Sequence, residues 1–264
     1  VIHKTLSIAG SDPSGGAGVQ ADLKTFSALG CYGMAVMTAL TAQNTRGVYG
    51  IEVMSAEFVR AQLDAIFDDV AVHAVKIGMI ADAAIANVVA DVLEEYKPSN
   101  VVLDPVMVST SGDALIAGDA LEVIKERLIP LADVITPNIP EAEKLLRKAV
   151  LDTERVAQDL LSLGCLSALL KGGHLTHEDT STDVLAYGDG EVEIYESARI
   201  LTSNTHGTGC TLSSAIAAHL AKGLEMTEAV GAAKAYLTGA IEAGSQLGVG
   251  HGHGPVHHFW KVWE

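Results

Sequence analysis

Short apolar runs without polar alternation recur along the chain at residues 6–9, 34–40, 74–77, 101–103, 134–136 and 168–170. Strands covered by helices on both sides carry this pattern, because neither face of such a sheet meets water. Between the runs, residues 19–29, 57–67, 83–96, 119–128, 141–146 and 153–163 place apolar side chains at helical spacing. Several of these stretches have Asp, Glu or Thr near the start, where a helix has unpaired N–H groups to satisfy. The alternation predicts βαβ units and therefore an α/β fold of three layers, a mostly parallel sheet between two sets of helices.

Beyond Lys171 the rhythm changes. Residues 183–187 and 192–195 read as strands joined through Gly188-Asp189-Gly190, a hairpin signal, and two long helices are expected at 211–222 and 227–247. No Pro- or Ser-rich linker and no repeat period divides the chain, so a single domain over residues 1–264 is expected. The segment 108–118, polar and glycine-containing, is the candidate lid.

Ligands of such sheets bind beyond the carboxyl ends of the strands, and the chemistry-bearing motifs fall at those positions. The strongest is Thr205-His206-Gly207-Thr208-Gly209-Cys210-Thr211, followed by a helix of small residues. Glycines let backbone wrap an anion, and a helix start offers free N–H groups together with the positive end of its dipole. Gly207, Thr208 and Gly209 thus form a candidate anion hole. In Cys210 the same dipole would favour a thiolate able to act as a base toward a hydroxyl. The competing reading is that the glycines serve packing and the cysteine is an apolar filler.

The segment Ala9-Gly10-Ser11-Asp12-Pro13-Ser14-Gly15-Gly16-Ala17-Gly18 is neither a Walker loop, which would have lysine where Gly16 stands, nor a dinucleotide fingerprint. Its glycines suit close approach to an acceptor substrate, with Asp12 at the strand end; a plain turn is the alternative. In Thr136-Pro137-Asn138-Ile139-Pro140-Glu141, and in Asp104 at the end of an apolar run, oxygen donors suitable for Mg²⁺ meet the same sheet edge. A helix cap explains Asn138 and Glu141 equally well. Lys171 closes another run, where its ammonium can reach phosphate. Gln43 carries an amide suited to the edge of a heterocycle, or is merely solvated.

Charge and cysteine content narrow the choices. With 33 acidic against 17 basic residues and a formal net charge of -16, the chain's field repels nucleic acid and anionic lipid. It also repels nucleotide phosphates, so a phosphate site here has to rest on backbone N–H groups, a lysine and a divalent cation. Cys31, Cys165 and Cys210 are far apart and form no CxxC pair, which excludes a zinc knuckle and fits a reducing cytoplasm. No membrane segment is expected. The histidines at 251–258 lack zinc spacing and, with their glycines and Pro255, suggest a packed terminal segment.

Taken together, these residues carry a family resemblance. Residues 9–25, Thr41-Ala42-Gln43-Asn44-Thr45, Lys76-Ile77-Gly78-Met79, 136–141, Lys171-Gly172-Gly173-His174, 205–211 and 254–259 resemble, in order, the bacterial hydroxymethylpyrimidine/phosphomethylpyrimidine kinases of thiamine biosynthesis, in the ribokinase-like superfamily. The resemblance implies a ribokinase-like fold without the large β-lid of sugar kinases, and a homodimer. It implies ATP-dependent phosphorylation of 4-amino-5-hydroxymethyl-2-methylpyrimidine and then of its monophosphate to the pyrophosphate. Carried over by motif, Gln43 meets the pyrimidine, and Gly10, Met79 and Val106 line its pocket. Lys171, Asn138 and Thr208 serve ATP, and Asp104 and Glu141 organise Mg²⁺. Cys210 stands where most ribokinase relatives have aspartate. A pyridoxal kinase of the same fold, a cysteine hydrolase using Cys210 with His206, and a silent nucleotide or vitamin sensor are the rival expectations.

Overall fold

A computed structural model describes residues 1–108, 115–116, 118–173 and 179–263. An eight-stranded sheet has the order β10-β9-β8-β7-β6-β5-β1-β2. Its strands are β1 (Lys4–Ala9), β2 (Tyr32–Met37), β5 (Ala74–Ile77), β6 (Val101–Leu103), β7 (Val134–Ile135), β8 (Ser167–Lys171), β9 (Thr180–Tyr187) and β10 (Glu191–Ala198). From β2 to β8 all neighbours are parallel, and β9 and β10 add an antiparallel edge.

Two cores explain why the central strands lack polar alternation. Leu6, Ile8, Val75, Ile77, Val101, Leu103, Ala168 and Leu170 pack on one face, against α2 (Ala56–Phe67), α3 (Ala83–Tyr96), α4 (Gly118–Val123), α5 (Ile139–Leu146) and α6 (Thr153–Leu160). The intervening Ala74, Val102, Val134 and Leu169 pack on the other, against α1 (Gly18–Ala28), α7 (Thr208–Ala221) and α8 (Met226–Gly244). Ser7 and Lys76 occupy alternate positions in these strands and are fully buried. Period 2 aims both toward the α1 and α7 layer.

Two expectations need correction. The run 34–40 is not one strand: β2 ends at Met37, and a separate antiparallel ribbon, β3 (Ala39–Asn44) and β4 (Gly47–Val53), follows. Most of β4 is exposed, so no buried face imposed the alternation that would have disclosed it. Gln43 therefore sits in a strand, beside a register shift between Ala42 and Gln43, and not in a loop. The penultimate helix begins at Thr208 and not at 211, which puts Gly209 and Cys210 inside its first turn. The lid candidate 108–118 lies largely outside the described residues, as does His174.

Candidate active site

A cavity of about 650 Å³ opens at the carboxyl ends of β1, β5, β6, β7 and β8, and every site residue singled out from the sequence lines it. Its lining includes Gly10, Gln43, Met79 and Val106, together with the start of α7, Asn138 and Lys171.

The turn before α7 is built on Gly207. Its φ of +79° belongs to the left-handed region, and a Cβ there would lie 1.8 Å from the Gly16 carbonyl oxygen. No side chain caps α7. The Thr208 N–H donates to Thr205 O at 3.3 Å, and the first regular helical bond runs from Thr211 N to Gly207 O at 2.9 Å. Among the described residues the amides of Gly209 and Cys210 have no acceptor, so two N–H groups remain for an anion.

Lys171 and Asp104 face this helix start, with Lys171 Nζ 2.8 Å from Asp104 Oδ1. A Cβ on Gly209 would lie 3.4 Å from both Lys171 Nζ and Asp104 Oδ2. Burial works against the Lys171 ammonium, but the charges of Asp104 and Glu141 prevail and raise its pKa. Asp104 Oδ1 also accepts from Thr136 Oγ1 at 3.0 Å, leaving Oδ2 the freer oxygen. Burial raises the pKa of Glu141; Lys171 opposes the rise and Asp104 adds to it.

Asn138 and Glu141 make a reciprocal cap on α5. Asn138 Oδ1 accepts from Glu141 N at 2.9 Å, and Glu141 Oε2 accepts from Asn138 N at 2.8 Å. The cap leaves the Asn138 NH₂ and the second Glu141 oxygen uncommitted to it. Among the described residues no group of three His, Cys, Asp or Glu side chains forms a metal cage. The Asp104 and Glu141 carboxylates are hard oxygen donors of the kind that would suit a largely hydrated Mg²⁺ shared with phosphates.

The thiolate expected at Cys210 is not what the surroundings favour. Burial pushes its pKa up to about 11, and Asp22 and Asp104 add to the rise against the opposing charge of Lys76. Burial is the largest influence on this group, so the thiol is neutral near pH 7.

Asp12 is nearly inaccessible, and both its oxygens are occupied. Oδ1 accepts from Ser14 N and Ser14 Oγ, and Oδ2 from Gly16 N, Ala17 N and His206 Nε2, the last at 2.7 Å. This carboxylate is turned into its own loop and onto His206 instead of being offered to an acceptor molecule. The His206 ring, proposed for a hydrolase, is engaged by Asp12. The single Thr41 hydroxyl proton can go to Ser11 O, at 2.8 Å, or to Gln43 Oε1, at 3.1 Å. Gly10 leaves room for Met79, whose sulfur would be 2.8 Å from a Cβ at residue 10.

Sequence reasoning missed three polar pairs lining this cavity or its wall: Lys76–Asp22, Lys234–Asp183 and His206–Asp12. A polar residue flanked by apolar ones in a buried strand, as at Ser7 and Lys76, was the available signal. The terminal segment is packed, as its composition suggested: Gly254 O accepts from His206 N, and His253 N donates to Thr45 O.

A profile of the phosphomethylpyrimidine kinase family matches residues 12–257. The chain belongs to this family. It is 53% identical over 263 residues to the hydroxymethylpyrimidine/phosphomethylpyrimidine kinase of Rhizobium meliloti, covering 98% of each chain. The crystal structure of phosphomethylpyrimidine kinase from Clostridium difficile superposes with a TM-score of 0.80 at 46% identity, covering 90% of this chain and 99% of that one. An ADP complex of Bacillus subtilis pyridoxal kinase superposes with a TM-score of 0.90 at 37% identity, covering 100% of both. The phosphomethylpyrimidine kinase family thus shares its ribokinase-like architecture with pyridoxal kinases, and the choice of acceptor rests on the site.

Proposed function

We propose that this protein uses ATP to phosphorylate 4-amino-5-hydroxymethyl-2-methylpyrimidine, and then the resulting monophosphate to the pyrophosphate, in thiamine biosynthesis. The observation that carries the reading is the free amide pair of Gly209 and Cys210, within one cavity with Lys171, Asp104 and the Gln43 pocket. The γ-phosphate lies at the α7 start, where those amides and Lys171 take up charge as it shifts between leaving and attacking oxygens. The pyrimidine lies between Gly10, Met79 and Val106 with its polar edge on Gln43, so the hydroxyl is in line beside Cys210. Asp104 and Glu141 would hold Mg²⁺, which supplies further charge neutralisation on the phosphates. Asn138 lends its NH₂ to the nucleotide.

The charge argument favours this arrangement. A chain of net charge -16 attracts ATP only through local donors, and these cluster at one sheet edge. Cys210 acts here as a neutral spacer next to the hydroxyl, since a loose phosphoryl-transfer transition state asks little of a base. We read the chain as one kinase domain working in the cytoplasm, in keeping with its free cysteines; among the described residues no helix is long and apolar enough to cross a membrane. A homodimer is supported by exposed Tyr32, Leu40, Tyr49, Ile51 and Val53 on β2, β3 and β4.

Incubation with the hydroxymethylpyrimidine and MgATP, followed by mass analysis, should give mono- and diphosphate products. Pyridoxal is the second reading, favoured by the TM-score of 0.90 to a pyridoxal kinase. A clear preference for pyridoxal in parallel steady-state rates would replace the pyrimidine assignment.

A further inference from the structure

Two glycine-rich segments from opposite ends of the chain meet at the cavity. One is the loop between β1 and α1, which borders the acceptor side; the other is the turn before α7, which carries the free amides. Their backbones touch, since a Cβ on Gly207 would lie 1.8 Å from Gly16 O. Gly16 is held equally closely by the next layer, where a Cβ would stand 2.3 Å from His206 Cδ2 and 3.1 Å from Pro255 Cβ. His206 is thus wedged between the loop and the terminal segment, and its own N–H donates to Gly254 O at 3.0 Å.

One carboxylate ties these layers together. Asp12 gathers the N–H groups of Ser14, Gly16 and Ala17 within its own loop, and its Oδ2 reaches across to His206 Nε2 at 2.7 Å. Hydrogen bonds to Asp12 and the neighbouring His206 prevail over burial, holding its carboxyl ionised with a pKa lowered to about 2. An ionised acceptor can only take a proton, so His206 Nε2 is the donor. Lys24 ties down the same loop from α1, donating to Gly15 O at 2.7 Å.

We propose that Asp12 and His206 are a positioning pair that fixes the acceptor loop against the phosphate-binding turn, and so sets the approach of the acceptor hydroxyl to the transferring phosphoryl group. The inference rests on the kinase reading above and goes beyond it. It gives Asp12 a role other than substrate binding and gives work to a histidine that the transfer step does not use. Neither residue needs to touch a substrate. Their hydrogen bond determines where Gly209 and Cys210 stand relative to the acceptor pocket. Misplacement of about an ångström costs on the order of 10²-fold in rate while leaving each ligand its own contacts.

The test compares His206→Ala with His206→Gln, which keeps an N–H donor about as far from the backbone as Nε2. In His206→Ala, kcat should fall about 10²-fold with both KM values changed less than about threefold, and His206→Gln should recover most of the loss. Amide hydrogen exchange should rise at Gly16 and Ala17 and also at Thr211, across the contact. If thermal melting shows that the alanine variant does not fold, His206→Leu, which fills the ring's volume without a donor, takes its place. Unchanged kcat, a rise in KM that accounts for the whole loss, or a glutamine variant no better than the donorless one would overturn the proposal. So would faster exchange confined to one segment. An inactive wild-type enzyme would count against the kinase reading instead, and the exchange measurement, which needs no turnover, would still decide the pair's role.

Discussion

Lys76 Nζ lies 2.9 Å from both carboxylate oxygens of Asp22, in a contact from which water is excluded. Asp22 also accepts from Ser7 Oγ at 2.6 Å and Ser214 Oγ at 2.7 Å, so β1, β5, α1 and α7 meet at one carboxylate. Burial opposes the Lys76 charge, but the neighbouring Asp22 carboxylate prevails and raises its pKa.

Breaking such a pair strands a charge, which costs about 3–5 kcal/mol. Lys76→Met should therefore lower unfolding stability in urea by about that amount, and Asp22→Asn should act in the same direction. The double variant Lys76→Met with Asp22→Asn removes both charges and should lose less than the sum. Strict additivity in that cycle would show that the two residues do not act on one another.

Cys210 gives a prediction of the opposite kind, a small effect where a catalytic base would give a large one. With its pKa pushed up to about 11, the thiol is protonated near pH 7 and cannot accept a proton. Cys210→Ala should lower kcat by less than about tenfold, below the 10²–10⁴ expected for loss of a general base. Alkylation of Cys210 by iodoacetamide should be slow at neutral pH and rise steeply only toward pH 11. A larger loss of turnover, with an alkylation midpoint below pH 8, would restore the thiolate.

The layered fold was legible because the strands 74–77, 101–103 and 168–170 are apolar at every or nearly every position, a pattern only a doubly covered sheet produces. The glycine turn before α7 was legible for a similar reason: Gly207 and Gly209 flank a helix start, a local arrangement readable from the sequence. What stayed hidden depends on distance in the chain. Asp12 and His206 are 194 residues apart, Asp22 and Lys76 are 54, and no local pattern announces either contact. The β4 half of the β3–β4 ribbon was missed because it is mostly exposed and has little buried surface to impose a period. At Cys210 the dipole is local and readable, whereas the burial that raises the thiol's pKa comes from the whole surrounding fold.

Among the described residues Lys171 has one close partner side chain, Asp104, and that partner is also a candidate Mg²⁺ ligand. Lys171→Ala should lower kcat by about 10²–10³, the scale seen when one donor to a developing oxyanion is removed. Asp104→Asn keeps the shape but removes the charge. It should lower kcat and raise the Mg²⁺ concentration needed for half-maximal rate, whereas Lys171→Ala should leave that Mg²⁺ midpoint within about twofold, since it removes no oxygen ligand. Equal Mg²⁺ midpoints for Asp104→Asn and wild type in a magnesium titration would take Asp104 out of the metal's environment.

Asp12 makes acid stability a readout of the loop. Burial alone would raise its pKa, but His206 and Ser14 hold the folded-state value at about 2, against an ordinary value of 3.8. A depressed carboxyl stabilises the fold fully at pH values above its unfolded pKa, and that contribution is lost as pH falls through the folded one. The contribution of Asp12 should therefore be intact at pH 6 and decline between about pH 4 and pH 2. Asp12→Asn has no such titration, so its stability, measured by urea unfolding, should lie below that of wild type at pH 6. The difference should narrow as the buffer is taken toward pH 3. A constant difference across that range would mean that the Asp12 charge contributes nothing, and that shape alone holds the two glycine segments together.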